Sequence, residues 1–236
     1  MSLYAIGDLH GCPEELDVLL AHIGTTASDT LVFLGDYVDR GPAVRPLVDR
    51  LIRLRDAGPS TVFLRGNHED MFLSYLELGG RYGEVYLANG GGPTLASYDI
   101  RGGVVGSEAA AMVPSQHLRF LLELRYTYVD GPWLFVHAGV RPRVALERQS
   151  EEDLLWIRDD AFGRGHDLPY AVVFGHTPRR EALIELPDRV GLDTGLVYGN
   201  KLSCLDVGGR RLLQVARGGR RVVERDLSAE FSAANL

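Results

Sequence analysis

The sequence predicts an α/β fold in which two mixed β-sheets pack face to face and are flanked by helices. Two patterns and one bound lead there. The first third alternates short apolar runs with segments of helical period, and the second half is a series of short strand-like runs separated by turns. The chain has 236 residues, 45% hydrophobic and 24% charged, which is enough to bury a full core at an ordinary globular composition.

The elements follow in order. Residues 3–6 (LYAI) form a strand that stops at Gly7. Residues 13–23 have helical spacing, with Pro13 suited to a first turn. Residues 30–34 (TLVFL) form a second strand ending at Gly35, and 43–57 form a second helix with Pro46 in its first turn. Residues 61–65 are a third strand and 69–78 a third helix. This β-α-β-α-β order implies parallel strands joined by right-handed crossovers. Residues 79–106, rich in glycine and tyrosine, break the pattern. They read as an insertion-like segment with one short helix near 94–98. Helical spacing returns over 114–124. Strands over 126–129 and 133–137 flank a DGP turn as a hairpin, and 151–157 is a short helix. Residues 171–175, 189–193, 201–207, 212–216 and 220–225 are strands, and the tail from Ser228 is expected to fray. With no repeat or linker, residues 1–236 read as one domain.

Composition excludes some functions. The net charge of -7 argues against nucleic acid or an anionic membrane as partner, because both select basic surfaces. The two cysteines, Cys12 and Cys204, lack metal-type spacing and read as reduced thiols. No apolar run approaches the ~18 residues of a membrane span, and the N-terminus lacks the pattern of a secretory signal. A cytoplasmic location is the expectation.

The chemistry sits at strand ends. The first strand leads into GDLHG (Gly7, Asp8, Leu9, His10, Gly11), the second into GDYVDRG (residues 35–41) and the third into RGNHE (residues 65–69). Two later strands end in VHAG, with His137, and GHTP, with His176. Carboxyl ends of parallel strands share one edge of a sheet, where ligands bind in open α/β folds. Aspartate oxygen, imidazole nitrogen and amide oxygen without thiolate suit divalent Mn, Fe, Zn or Co. Six such side chains, Asp8, His10, Asp36, Asn67, His137 and His176, exceed what one catalytic metal can use. They fit two metals sharing a carboxylate, which at ~3.5–4 Å separation can hold a bridging hydroxide for one-step attack on phosphorus. A single GD or GNH would be only a turn signal; five motifs in order are not.

These motifs together resemble the phosphoprotein phosphatase family of serine/threonine phosphatases, in its bacterial and phage branch, within the calcineurin-like metallophosphoesterase superfamily. The resemblance runs from about residue 3 to about residue 205. It implies the four-layer metallophosphoesterase sandwich. It also implies that Asp8 and His10 bind one metal, that Asp36 bridges both, and that Asn67, His137 and His176 bind the second. Manganese is the first expectation for both ions. His68 would protonate the leaving alkoxide, oriented by Asp39, and Arg40, Arg65 and Arg158 would bind phosphate oxygens. Breaking a serine or threonine phosphate ester expels a poor leaving group and needs such an acid, and arginine forks suit phosphoryl oxygens.

The leading expectation is therefore a serine/threonine protein phosphatase, active also on small aryl phosphates, with no regulatory subunit evident. An alternative is hydrolysis of a dinucleoside tetraphosphate or another small phosphoester or phosphoanhydride. Bacterial relatives with similar first motifs do this, although their second and third motifs look different. A minor alternative is a non-catalytic scaffold of the same fold. Outside the motifs, His117 reads as surface helix, His166 as part of a glycine-rich turn, Cys12 as a small buried hydrophobe, and Glu69 as a residue that orients its neighbours.

Overall fold

The structure is a computed structural model that describes residues 2–158 and 165–236. Among them, eleven strands form two sheets. In the first, β1 (Leu3–Ile6), β2 (Thr30–Phe33) and β3 (Ser60–Phe63) run parallel. Helices α1 (Pro13–Ile23) and α2 (Val44–Ala57) make the crossovers. Strands β9 (Lys201–Asp206), β10 (Arg211–Ala216) and β11 (Val222–Asp226) extend this sheet antiparallel from β1, giving the order β11-β10-β9-β1-β2-β3. The second sheet has the order β4-β5-β6-β8-β7. Its strands are β4 (Thr127–Asp130), β5 (Trp133–Val136), β6 (Ala171–Phe174), β7 (Leu183–Glu185) and β8 (Arg189–Gly191). β4 and β5 form the expected hairpin, while β5, β6 and β8 run parallel. Both sheets are mixed, as the sequence predicts.

Alternation along the strands separates the layers. Ile6, Leu31, Phe33 and Phe63 face the helices of the first sheet, whereas Ala5, Val32 and Val62 face the second sheet and meet Phe135, Val173 and Val190. The far face of the second sheet buries Leu134, Val136, Val172 and Phe174 against Leu154 of α7 (Glu151–Trp156). Strands buried on both faces read as continuous apolar runs, which is why they stand out in the sequence.

Several features depart from the sequence reading. Helix α3 (Asn67–Tyr75) begins two residues early, so Asn67 and His68 occupy its first turn. Glu69 makes this possible by reaching back to the Gly66 N–H at 2.8 Å, the acceptor half of a capping box. The 79–106 segment holds a 3-10 turn (Gly83–Val85) and helix α4 (Gly92–Ser97), and α5 (Gly106–Ala110) follows at its end. Strand β7 was not expected: three residues paired along one edge give too short a pattern to detect. The tail does not fray. Residues Ser228–Ala234 form α8, which seats Phe231 (2% exposed) on Trp133 at the end of the inter-sheet core. His117 is also a correction. On α6 (Ser115–Leu122) it is fully buried, between the Tyr98 hydroxyl (2.9 Å) and Asp49 (2.9 Å). His166 is buried as well. Among the described residues no helix is long and apolar enough to cross a membrane.

Candidate metal centre

The parallel strands of both sheets point their carboxyl ends at one place. Asp8 follows β1, Asp36 follows β2, Asn67 opens the helix after β3, His137 follows β5 and His176 follows β6. Asp193, two residues beyond β8, completes the ring. The sheets are tied here by polar bonds: His137 Nδ1 donates to the Leu34 carbonyl (2.8 Å), and the His176 N–H donates to Asp8 (3.0 Å).

The backbone at these points is unusual. His10, Asp36, Asp39, Arg40 and His176 all have φ between 39° and 69°. Such left-handed conformations are disfavoured for residues with a Cβ and cluster at functional sites. Close approach explains two glycines. A Cβ at Gly66 would strike the Asp36 carboxylate, and one at Gly175 would strike Asp8.

Two groups of side chains converge, each with potential ligand atoms within 4.8 Å of one another: His10, Asp36 and His68, and Asp36, His137 and His176. Asp36 belongs to both. Asn67 joins the second group, its Oδ1 lying 3.0 Å from both His137 Nε2 and His176 Nδ1. Asp8 stands beside them, and its charge and that of Asp36 act on each other.

The placement of the protons shows what the donor set can hold. His137 uses its Nδ1 proton on Leu34, so Nε2 presents a lone pair to Asn67 Oδ1 and to Asp36 Oδ1 (3.4 Å). His10 donates Nδ1–H to the Val38 carbonyl (2.7 Å), so its Nε2 lone pair also faces Asp36 Oδ2 (3.3 Å), with an Arg40 N–H donating to it at 2.8 Å. Lone pairs that face lone pairs in a buried site repel, and a divalent cation reverses the sign. Titration agrees. Burial pushes the His137 imidazole down, and burial, with His137 beside it, pushes His176 down to about 3, so both imidazoles favour the neutral form that can ligate a cation. Burial, then the charges of Asp193 and Asp36, push the Asp8 carboxyl well up, the mark of crowded carboxylates lacking a counter-charge. The residues fit a pair of divalent ions.

Around this centre the remaining candidates divide. Asp39 Oδ2 lies 2.6 Å from His68 Nδ1, both side chains buried. Its Oδ1 accepts from the Tyr86 hydroxyl (2.7 Å) and the Thr94 hydroxyl (2.6 Å), while Thr94 in turn accepts the Asp39 N–H (2.8 Å). Tyr86 and Thr94 come from the 79–106 segment. Sequence reading missed both, and neither stands in a motif. The available signal was weak: an aromatic and a hydroxyl within an otherwise glycine-rich stretch. Glu69 is fully buried and accepts four backbone N–H groups, from Asp36, Tyr37, Val38 and Gly66 (2.7–3.1 Å). It clamps the Asp36 loop to α3. Burial, then the Asp36 charge, raise its carboxyl to about 7.

The arginines separate in the same way. Arg40 reaches His10 Nε2 with one guanidinium nitrogen (2.8 Å) and sits at the centre. Arg158 is exposed after α7, close enough that its charge helps depress His176. Arg65 is engaged with Asp70 (3.4 Å), the Tyr126 hydroxyl (3.1 Å) and the Leu122 carbonyl (3.5 Å), and no contact joins it to the ligand groups among the described residues.

A family model described as calcineurin-like phosphoesterase matches residues 1–201. An asymmetrical bis(5'-nucleosyl)-tetraphosphatase from Anoxybacillus flavithermus is 26% identical over 226 residues, covering 85% of this chain and 88% of that protein. A symmetrical bis(5'-nucleosyl)-tetraphosphatase from Yersinia pestis is 46% identical over 70 residues, only 29% of this chain and 23% of that protein. Among solved structures, one named as a diadenosine tetraphosphatase aligns with a TM-score of 0.67 at 25% identity, over 91% of this chain and 93% of that one. A cold-active protein tyrosine phosphatase aligns with a TM-score of 0.66 at 17% identity, over 95% of this chain and 78% of that one, a likeness of fold.

Proposed function

The chain belongs to the calcineurin-like phosphoesterase family, and from that premise we propose that it hydrolyses a dinucleoside tetraphosphate or a similar small phosphoanhydride at a centre of two divalent ions. The observation that carries hydrolysis is the buried Asp36, shared by two clusters, His137 and His176 on one side and His10 on the other, with His68 beside His10 as the proton donor. The substrate class rests on the full-length relative and the solved structure, both named for dinucleoside tetraphosphates. This reverses the order of preference that the motifs suggest, in which a phosphoprotein substrate leads.

In this reading Asp8, His10 and Asp36 hold one ion, and Asp36, Asn67, His137 and His176 hold the other. When bound, the ions supply Lewis-acid activation of the phosphorus and of the attacking water. Manganese is the first ion to test; the oxygen and imidazole donors accept Fe, Zn or Co as well. Arg40, turned away from His10 Nε2 once that nitrogen ligates an ion, and Arg158 bind phosphate oxygens as charge shifts onto them. Arg65 joins them only by leaving Asp70. His68, held by Asp39, gives its proton to the departing oxygen at Nε2.

A serine/threonine phosphomonoesterase stays as the second reading because of the buried Asp39–His68 pair. An alkoxide leaving group needs a proton donor, whereas a nucleotide phosphate leaves with little help. Turnover of diadenosine tetraphosphate and of a phosphoserine peptide, side by side with added manganese, decides. The expected result is faster hydrolysis of the tetraphosphate, with the nucleotide products showing where the chain is cut. Peptide turnover exceeding tetraphosphate turnover would transfer the function to the second reading.

A further inference from the structure

Tyr198 is the most exposed large aromatic among the described residues, at 62%. A single exposed ring needs no explanation by itself, but its mounting does. It ends a 3-10 turn (Leu196–Tyr198) between glycines with left-handed φ, Gly195 at 68° and Gly199 at 90°. The turn is braced on both sides. Asp193 Oδ1 accepts the Gly195 N–H (2.9 Å), the Thr194 hydroxyl donates to the Lys201 carbonyl (2.7 Å), and the Asn200 side chain donates to the Thr194 (2.6 Å) and Arg180 (2.9 Å) carbonyls. The fold therefore holds an aromatic ring in water on a rigid turn.

Its neighbour says what the ring is for. The Arg40 guanidinium lies over the Tyr198 ring, 5.6 Å from its centroid, and the same guanidinium is 2.8 Å from His10 Nε2. One guanidinium thus separates the ring from the metal ligands. A ligand whose phosphate meets Arg40 places the group attached to that phosphate at Tyr198. An apolar side chain there would serve any lipid or peptide; a planar, rigidly held ring suits a planar partner, and base–aromatic stacking accepts every nucleobase.

We propose that Tyr198 is the nucleobase platform of this site, stacking the base of a nucleoside polyphosphate whose phosphate chain is bound by Arg40. The inference rests on the phosphoanhydride reading above and names the residue that would give it nucleotide specificity. Tyr198 takes no part in bond breaking.

The test uses the metal-loaded full chain and two substrates, diadenosine tetraphosphate and inorganic tripolyphosphate, which has no base. The readout is the ratio of their KM values. Loss of one stacking partner corresponds to about tenfold in binding, so Tyr198→Ala is expected to raise the ratio of the diadenosine tetraphosphate KM to the tripolyphosphate KM about tenfold. Tyr198→Phe and Tyr198→Trp should hold the ratio near the wild-type value. A shift of Arg40 alone would raise both KM values together and leave the ratio fixed; that result overturns the platform while leaving the tetraphosphatase reading intact. Failure of the wild-type protein to cleave diadenosine tetraphosphate while it cleaves a phosphoserine peptide overturns both.

Discussion

Asp39 and His68 face each other at 2.6 Å, Oδ2 to Nδ1, with both side chains sealed from solvent. The bond fixes the His68 ring beside His10 and Asp36, with which it shares potential ligand atoms within 4.8 Å. His68→Asn should keep the divalent ions and lose about 10²–10³-fold in turnover of alkyl phosphates. Aryl phosphates and phosphoanhydrides, with better leaving groups, should lose far less. Equal losses on all three substrates would show that His68 does not act as the acid.

The carboxylate of Asp39 is itself held, by Tyr86 and Thr94. Tyr86→Phe keeps the ring stacked on Phe72 at 5.4 Å and removes only the hydroxyl. Partners one step behind a reactive group are worth about 10–100-fold, so turnover of alkyl phosphates should drop about tenfold, with metal content unchanged. Thermal stability, measured in parallel, should fall little. Turnover equal to wild type would remove Tyr86 from the proton-donating assembly.

Glu69 ties α3 to the loop that carries Asp36 through four backbone N–H groups. Glu69→Gln replaces an acceptor oxygen by a donor facing donors. Stranding buried polar groups costs about 2 kcal/mol or more, and the Asp36 loop should lose its hold on the ions. Urea unfolding and bound-metal analysis check both effects. A variant with wild-type stability and metal content would contradict the clamp.

A pH effect is expected outside the site. Hydrogen bonds from Arg141, then Ser150, hold the Asp153 carboxyl below its usual range against the opposing effect of burial. A carboxyl whose folded pKa is depressed stabilises the fold above its unfolded value, ~3.9, and loses that contribution as pH falls through the lower folded value. Asp153→Asn should therefore cost under about 1 kcal/mol at pH 7, with the gap to wild type closing toward pH 3.5. Urea midpoints at both values test this; a constant gap would mean that the charge contributes nothing.

Legibility from sequence followed the physics of each element. Strands buried on both faces, such as β2 and β6, leave unbroken apolar runs, and the candidate ligands follow them within a few residues. The sequence alone therefore places Asp8, Asp36, Asn67, His137 and His176 at strand ends that share one edge. Tyr86 and Thr94 could not, because their link to Asp39 spans 47 and 55 residues through a segment with no period. His117 sits in an amphipathic helix, where a histidine reads as polar; only the tertiary pairing with Tyr98 and Asp49 buries it. Helix α8 is stabilised by one anchor, Phe231 on Trp133, which a seven-residue pattern cannot announce. The arginines were separable only by geometry, since Arg40 turns to His10 and Arg65 turns to Asp70.

In the proposed function, Asp36 joins two divalent ions in one hydrolytic centre. The most direct measurement is metal stoichiometry and diadenosine tetraphosphate turnover on the same samples, after chelation and stepwise return of manganese. The expected result is two ions per chain, with activity rising as the second binds and both lost in Asp36→Asn. Full hydrolysis by the chelated protein, or full metal content and activity in Asp36→Asn, would contradict it.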